Sequence, residues 1–274
     1  MLSKEQIQAA AENLYQAEKQ CKQIEPLTLT HPDMDMDDAY AVQSAWVNRK
    51  IEQDGRKIIG YKIGLTSRAM QRVMKIETPD YGVLLDDMLF ADKAEIETAK
   101  FLDPQIEVEL AFVLKERLFG ENVTPEQVMA ATDYVIPSFE LIAARSHRVH
   151  PQTGYTRTVY DTISDNAANA GIIMGGRKVA PNEVDLRWCG AIVKLNGVIE
   201  QTGLAAAVLD HPANGICWIA KRFAPHGIAL EPGHVLLSGS FTAPIKVKAG
   251  DQVNAEYGES VSYTHLTLPT IYSV

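Results

Sequence analysis

Gln105-Ile106-Glu107-Val108-Glu109-Leu110-Ala111-Phe112-Val113-Leu114 is the stretch on which the reading of this chain turns. Side chains alternate across a strand, so Ile106, Val108 and Leu110 share one face while Glu107 and Glu109 share the other. Alone, this segment reads as a half-buried strand with a solvated acidic face. A second run, Tyr134-Val135-Ile136-Pro137-Ser138-Phe139-Glu140-Leu141-Ile142, weakens that reading. It is an apolar strand interrupted by Glu140, and a carboxylate is rarely buried without a partner. Glu107, Glu109 and Glu140 could therefore converge on one hard cation. Oxygen ligands favour Mg²⁺, Mn²⁺ or Ca²⁺ over zinc.

Strand signals extend outward from this pair. The pattern predicts β-type runs at Ile58–Leu65, Tyr81–Leu89, Gln105–Leu114, Tyr134–Ile142, Ala167–Met174, Trp188–Leu195, His234–Phe241 and Gln252–Tyr257. Asn196-Gly197 marks a hairpin turn after Trp188–Leu195. Before them, Ser3 and Gln6 have capping-box spacing, and Ile7, Ala10, Leu14, Ala17 and Cys21 form one apolar stripe. A second helix starts at Asp37 or Asp38 and stops near Gly55. Shorter helices are predicted after Thr124-Pro125 and from Pro212 to Phe223. Many strands with few helices suggest an α+β fold around a mixed, rolled sheet. The expected organisation is an N-terminal helical subregion over 1–55 and a catalytic domain over 56–260.

Composition excludes several functions. The 274 residues carry 26 basic and 35 acidic side chains, a net charge of −9. Nucleic-acid binding needs a basic footprint, so none is expected. No apolar run reaches membrane-spanning length, and no secretory leader is seen, so a cytoplasmic protein is expected. Cys21, Cys189 and Cys217 suit neither a disulfide framework nor a zinc site.

Other polar groups could join the glutamates. Lys62, among Ile, Tyr and Gly, is either a snorkelling lysine or a desolvated one that binds an anion or relays a proton. Asp80, in Pro79-Asp80-Tyr81-Gly82, is either a turn residue or a general acid or base. The run from Asp161 to Gly171 contains Ser164 and could offer hydroxyl and amide donors to a ligand. Leu237-Ser238-Gly239-Ser240-Phe241-Thr242 permits close backbone approach by a ligand. His147 and His150 lie in an Arg-rich stretch that argues against a metal pair. No Ser-His-Asp order, P-loop or G-x-G-x-x-G fingerprint occurs.

Several segments together resemble the 2-keto-4-pentenoate hydratases of the fumarylacetoacetase-like superfamily. They are Lys62–Ser67, Pro79–Gly82, Glu107–Val113, Tyr134–Pro137 with Glu140, Ser164–Ala168 and Gly239–Thr242, in that order. Asn166–Gly171 and Asp38–Gln43 are most similar to the subgroup that converts 2-oxohept-4-ene-1,7-dioate to 4-hydroxy-2-oxoheptanedioate in homoprotocatechuate catabolism. The resemblance implies a mixed β-roll and a metal-dependent hydro-lyase. It implies Mg²⁺ or Mn²⁺ on Glu107, Glu109 and Glu140, with Lys62 and Asp80 moving protons. It also implies a homo-oligomer, pentamer-based, acting on a small-molecule dicarboxylate dienoate. Arg145 and Arg157 are the candidate clamp for the second carboxylate, and Ser164 and Ser240 are further substrate-binding candidates.

The rival within the fold is 4-oxalocrotonate decarboxylase or 2-hydroxypentadienoate hydratase. Acylpyruvate hydrolysis needs a His-activated water, and no His lies near the E-x-E segment. A degenerate binding protein is disfavoured because the trio, Lys62 and Asp80 are all present. The chain departs from the family after Tyr257-Gly258. The stretch Val261–Val274 resembles a translated sequencing adapter and is expected to be a non-native tail.

Overall fold

The structure is a computed structural model that describes residues 1–68, 71–72 and 75–258, with the backbone of 264–267. Helix α1 (Lys4–Gln20) starts at the Ser3–Gln6 capping box, and the left-handed Cys21 ends it. After the single turn α2 (Leu27–Thr30), α3 (Met36–Asp54) opens on a reciprocal Asp35–Asp38 cap and closes on Gly55. Further helices among the described residues are α4 (Pro125–Ala131), α5 (Val159–Ser164) and α6 (Ala213–Phe223).

The strands are β1 (Ile58–Gly64), β2 (Asp80–Leu85), β3 (Leu89–Phe90), β4 (Gln105–Leu114), β5 (Thr132–Ile142) and β6 (Asn169–Met174). They continue as β7 (Gly190–Leu195), β8 (Val198–Leu204), β9 (Val235–Leu237), β10 (Ile245–Lys246), β11 (Gln252–Tyr257) and β12 (Thr264–Thr267). The larger sheet runs β2-β1-β9-β4-β5-β6-β3, with β10 also on β4. It is mixed: β1/β9 and β3/β6 are parallel, and the other pairs are antiparallel. A second sheet runs β12-β11-β7-β8. The Tyr257 hydroxyl on β11 lies 3.0 Å from the carbonyls of both Glu109 and Ser138, which hooks the small sheet onto the centre of the large one.

The α+β class and the rolled mixed sheet are as the sequence predicts, with differences of local chemistry. The run Tyr81–Leu89 is not one strand. It stops at Leu85, makes a turn over Asp86–Met88, and Leu89–Phe90 joins the opposite edge of the sheet. Asp86 accepts from the Lys57 backbone amide at 3.1 Å, and Asp87 pairs with Arg56 and Lys50, so a backbone donor and two cations draw these carboxylates out of the strand. Helix α5 carries no readable apolar stripe because it is only six residues long. Its Asp161 closes a capping box with Thr158 and also receives the Thr28 amide and hydroxyl. The predicted strand Ala167–Met174 begins at Asn169, since Asn166, Ala167 and Ala168 all adopt positive φ. The segment 261–274 lies outside the described residues, except that the backbone of Thr264–Thr267 pairs with β11.

The N-terminal helices share the core of the larger sheet. Trp46 of α3 is 1% exposed, with the Arg145 guanidinium 4.6 Å from its ring centroid. Arg145 also bonds Glu18 of α1 at 2.6 Å, so one buried cation ties both helices to the end of β5. Truncating Trp46 removes this packing and leaves a cavity under a buried charge. Trp46→Ala is expected to cost about 3–5 kcal/mol, read from a shift of the urea midpoint.

Candidate active site

Strand β4 carries Glu107 and Glu109 on one face, and β5 pairs with it so that Glu140 lies directly opposite Glu107 and Ser138 opposite Glu109. Like charges in directly opposed positions repel. Here one carboxylate oxygen from each glutamate lies within 4.8 Å of the others, and Glu109 and Glu140 are each only 1% exposed. Among the described residues this is the one group of three or more His, Cys, Asp or Glu side chains placed to hold a metal.

The protein relieves part of the repulsion. Lys62 on β1 is buried with its Nζ 3.4 Å from Glu140 Oε1. The Asn169 amide donates to the same oxygen at 2.8 Å, and the Gly239 amide donates to Glu109 at 2.8 Å. Burial and the neighbouring Glu140 still push the Glu107 carboxyl up to about 8. Burial, reinforced by Glu140, raises Glu109 as well. Burial alone would lower Lys62, but Glu140, Asp80 and the other two glutamates outweigh it and hold the ammonium above its usual range. Asp80 begins β2 and is 1% exposed; burial raises its carboxyl despite the Lys62 charge beside it. A Cβ at Gly64 would fall 2.2 Å from Asp80 Oδ1 and 3.1 Å from Lys62 Nζ, so the glycine is what lets the two approach.

These residues open onto a cavity of about 580 Å³ whose wall includes Lys62, Asp80, Glu107 and Glu109. Leu65, Ala167 and Ala168 also line it, and all three have left-handed backbone, with φ of 53°, 50° and 60°. Such strain persists only where the surroundings over-determine it. Asn166 provides the constraint: its side chain accepts from the Val83 amide at 2.7 Å and donates to the Val83 carbonyl at 2.9 Å, as a neighbouring strand would. Asp80 Oδ1, Ser138 Oγ, Ser164 Oγ and Asn169 Oδ1 are buried without a hydrogen-bond partner among the described residues. Orphaned polar atoms around an oxygen-rich cluster fit a site built for an ion and its ligands.

The other sequence candidates divide. Ser240 lines the cavity, with its hydroxyl on the Thr242 carbonyl at 3.0 Å. Arg157 lines it and pairs with Asp165 at 3.2 Å. Ser164 is buried at the end of α5 rather than in the cavity wall, which takes Thr162 instead. Arg145 is not brought to the cavity: Glu18, Asp165 and the Asn169 carbonyl take its donors, and it faces a second pocket under the N-terminal helices. Sequence reasoning missed the amide of Gly239 on Glu109 and that of Asn169 on Glu140. Both lie in small-residue runs that were read as contacts for a ligand.

A curated relative, 2-oxo-hept-4-ene-1,7-dioate hydratase from Escherichia coli, is 54% identical over 248 residues, covering 90% of this chain and 92% of the relative. The chain belongs to the 2-keto-4-pentenoate hydratase family. The 2-keto-4-pentenoate hydratase of Paraburkholderia xenovorans (strain LB400) is 36% identical, with 91% and 90% covered. Among solved structures, 4-oxalocrotonate decarboxylase from Pseudomonas putida G7, complexed with magnesium and adipate, superposes with a TM-score of 0.90 at 34% identity. That match covers 98% of this chain and 99% of the decarboxylase. No protein-family model matches the chain. The hydratase family falls within the fumarylacetoacetase-like fold, so the rolled mixed sheet is family architecture.

The carboxyl chemistry has a direct consequence. With its carboxyl pushed up to about 8, Glu107 would release a proton at pH 7 if a divalent cation bound to it. Titrating metal-stripped protein with Mg²⁺ at pH 7 in two buffers of different ionisation enthalpy is expected to show net proton release. Equal heats in both buffers would contradict the arrangement.

Proposed function

We propose that Glu107, Glu109 and Glu140 hold Mg²⁺, or Mn²⁺, in a hydro-lyase that adds water to 2-oxohept-4-ene-1,7-dioate and yields 4-hydroxy-2-oxoheptanedioate. The carrying observation is the clustering of these three carboxylates, with Glu107, Glu109, Lys62 and Asp80 on the wall of one cavity and Glu140 behind them beside Lys62. The likeness to a hydratase at 54% identity supports the substrate. Mg²⁺ agrees with an all-oxygen ligand set, and the related decarboxylase holds magnesium in its solved structure.

When bound, the cation supplies Lewis-acid polarisation of the substrate's 1-carboxylate and 2-oxo oxygens. The chain's own residues manage the protons. A proton leaves C3 and one arrives at C5, which brings the double bond into conjugation with the ketone. Water then adds, its oxygen to C4 and its proton to C3. Asp80, with its carboxyl raised by burial, is placed to exchange a proton with the substrate carbon. Lys62 stays cationic beside it and holds the negative charge that develops on the 2-oxygen. Ser240 and Arg157 bind the rest of the substrate from the cavity wall. Ser164 keeps a buried hydroxyl without a partner, and a water-bridged contact to substrate is its role in this reading.

The enzyme acts as a homo-oligomer, pentamer-based, in the cytoplasm. Support for assembly comes from the apolar side chains of Trp188, Ile192, Val198, Ile199 and Leu204, which are exposed on the small sheet and its approach. Among the described residues no helix is long and apolar enough to cross a membrane.

The test is an ultraviolet assay with 2-hydroxyhepta-2,4-dienedioate and product identification by mass. Mg²⁺-dependent loss of diene absorbance with gain of one water is expected. Loss of CO₂ from the oxalocrotonate analogue without hydration would move the chain to the decarboxylase activity. Glu109→Gln and Glu140→Gln are expected to lower kcat/KM on the order of 10³-fold while the protein stays folded by circular dichroism.

A further inference from the structure

The stretch between β5 and α5 brings a second arginine to the cavity. Arg148 lines the same wall as Glu107 and Glu109. Its Nη1 donates to the Asp103 carbonyl at 2.7 Å and to the Asp103 carboxylate. Its Nη2 has no acceptor among the described residues. Arg157 is anchored in the same manner, by Nη1 alone, on Ser146 and on Asp165 at 3.2 Å. Each guanidinium is thus held from behind through one nitrogen, and the rest of each planar fork is uncommitted to the described protein.

The two forks are neighbours. The Arg157 backbone amide donates to the Arg148 carbonyl at 3.0 Å, and Val149 pairs with Thr156 between them. A guanidinium edge matches a carboxylate in geometry and charge, and two adjacent edges match it better than one. An extended seven-carbon dioate separates its carboxyl carbons by roughly 7 Å, taken from ordinary bond lengths. One end at the glutamate trio therefore leaves the other within the reach of the same cavity wall. The cavity, about 580 Å³, is ample for such a ligand, and Ile142 and Phe241 give its middle an apolar lining.

We infer that Arg148, acting with Arg157, forms the subsite for the far carboxylate, and that Arg148 is the residue that selects a dicarboxylate over a monocarboxylate. This rests on the hydratase reading above. The carboxylate arrives at donors that are already oriented, because Asp103 and Asp165 fix the two forks before any substrate binds. Asp103 is a positioning residue in this arrangement, since it holds Arg148 and does not line the cavity.

The experiment compares wild type, Arg148→Gln and Arg148→Lys with two substrates, 2-hydroxyhepta-2,4-dienedioate and 2-hydroxypenta-2,4-dienoate. Arg148→Gln is expected to raise KM for the dienedioate on the order of 30-fold, with a smaller change in kcat. The preference for the dienedioate over the pentadienoate should fall by a similar factor. Arg148→Lys should recover part of it, since charge returns without the fork. A Gln variant that keeps the wild-type preference within about 3-fold overturns the subsite and leaves the hydratase reading intact. Equal loss on both substrates also overturns it, because a merely structural arginine would behave so. Wild type with no preference for the dienedioate overturns the substrate reading and the subsite together.

Discussion

Glu107 and Glu140 face each other across a strand pair, with Glu109 one step along the same face, and backbone pairing fixes that register. Side chains so placed cannot drift apart without unzipping the centre of the sheet. Three carboxylates are held where their charges repel and where water screens them poorly. Ionising all of them together in so poorly screened a site is costly. The surrounding structure answers that constraint. Lys62 brings a positive charge from β1, Gly239 and Asn169 bring amide donors, and the repulsion that remains shows in the raised carboxyls of Glu107 and Glu109. A cation of charge two would complete the same set without the protons.

The distant elements serve to hold this arrangement. Tyr257 ties the small sheet to the carbonyls behind Glu109 and Ser138. Asn166 imitates a strand against Val83 and so stabilises a left-handed turn whose alanines shape the cavity. Asp165 is shared: Arg145 grips it from the side of the N-terminal helices and Arg157 from the side of the cavity. Through that carboxylate, α1 and α3 support the wall of a site that neither helix touches. The helical region is therefore a brace for the active site as well as a cover for the core.

How much of this was legible follows the range of each interaction. The alternation in Glu107–Leu110 and the lone Glu140 in an apolar run are local patterns, so both the strands and the trio could be read. The caps at Ser3 and Asp35 and the Asn196-Gly197 turn are equally local. The arginines were not separable, because Arg145, Arg148 and Arg157 lie in a stretch with no period. Only the fold decides that Arg145 turns toward Glu18 and Trp46 while Arg148 and Arg157 meet the cavity. The break after Leu85 was hidden for a similar reason, since the cations that hold Asp87 and the backbone amide that holds Asp86 come from α3 and its exit. The positive φ at Ala167 and Ala168 has no signature in residue type; it is imposed by Asn166 from next door.

The most direct test of the central claim is the stability of Glu107→Gln against wild type above pH 8, where the Glu107 carboxyl is ionised, with EDTA and then with Mg²⁺. Thermal melting is the readout. If the trio is a set of repelling charges kept for a cation, the variant melts higher than wild type in EDTA, and Mg²⁺ raises wild type far more than the variant. A variant less stable than wild type in EDTA, or a wild type indifferent to Mg²⁺, would contradict the account.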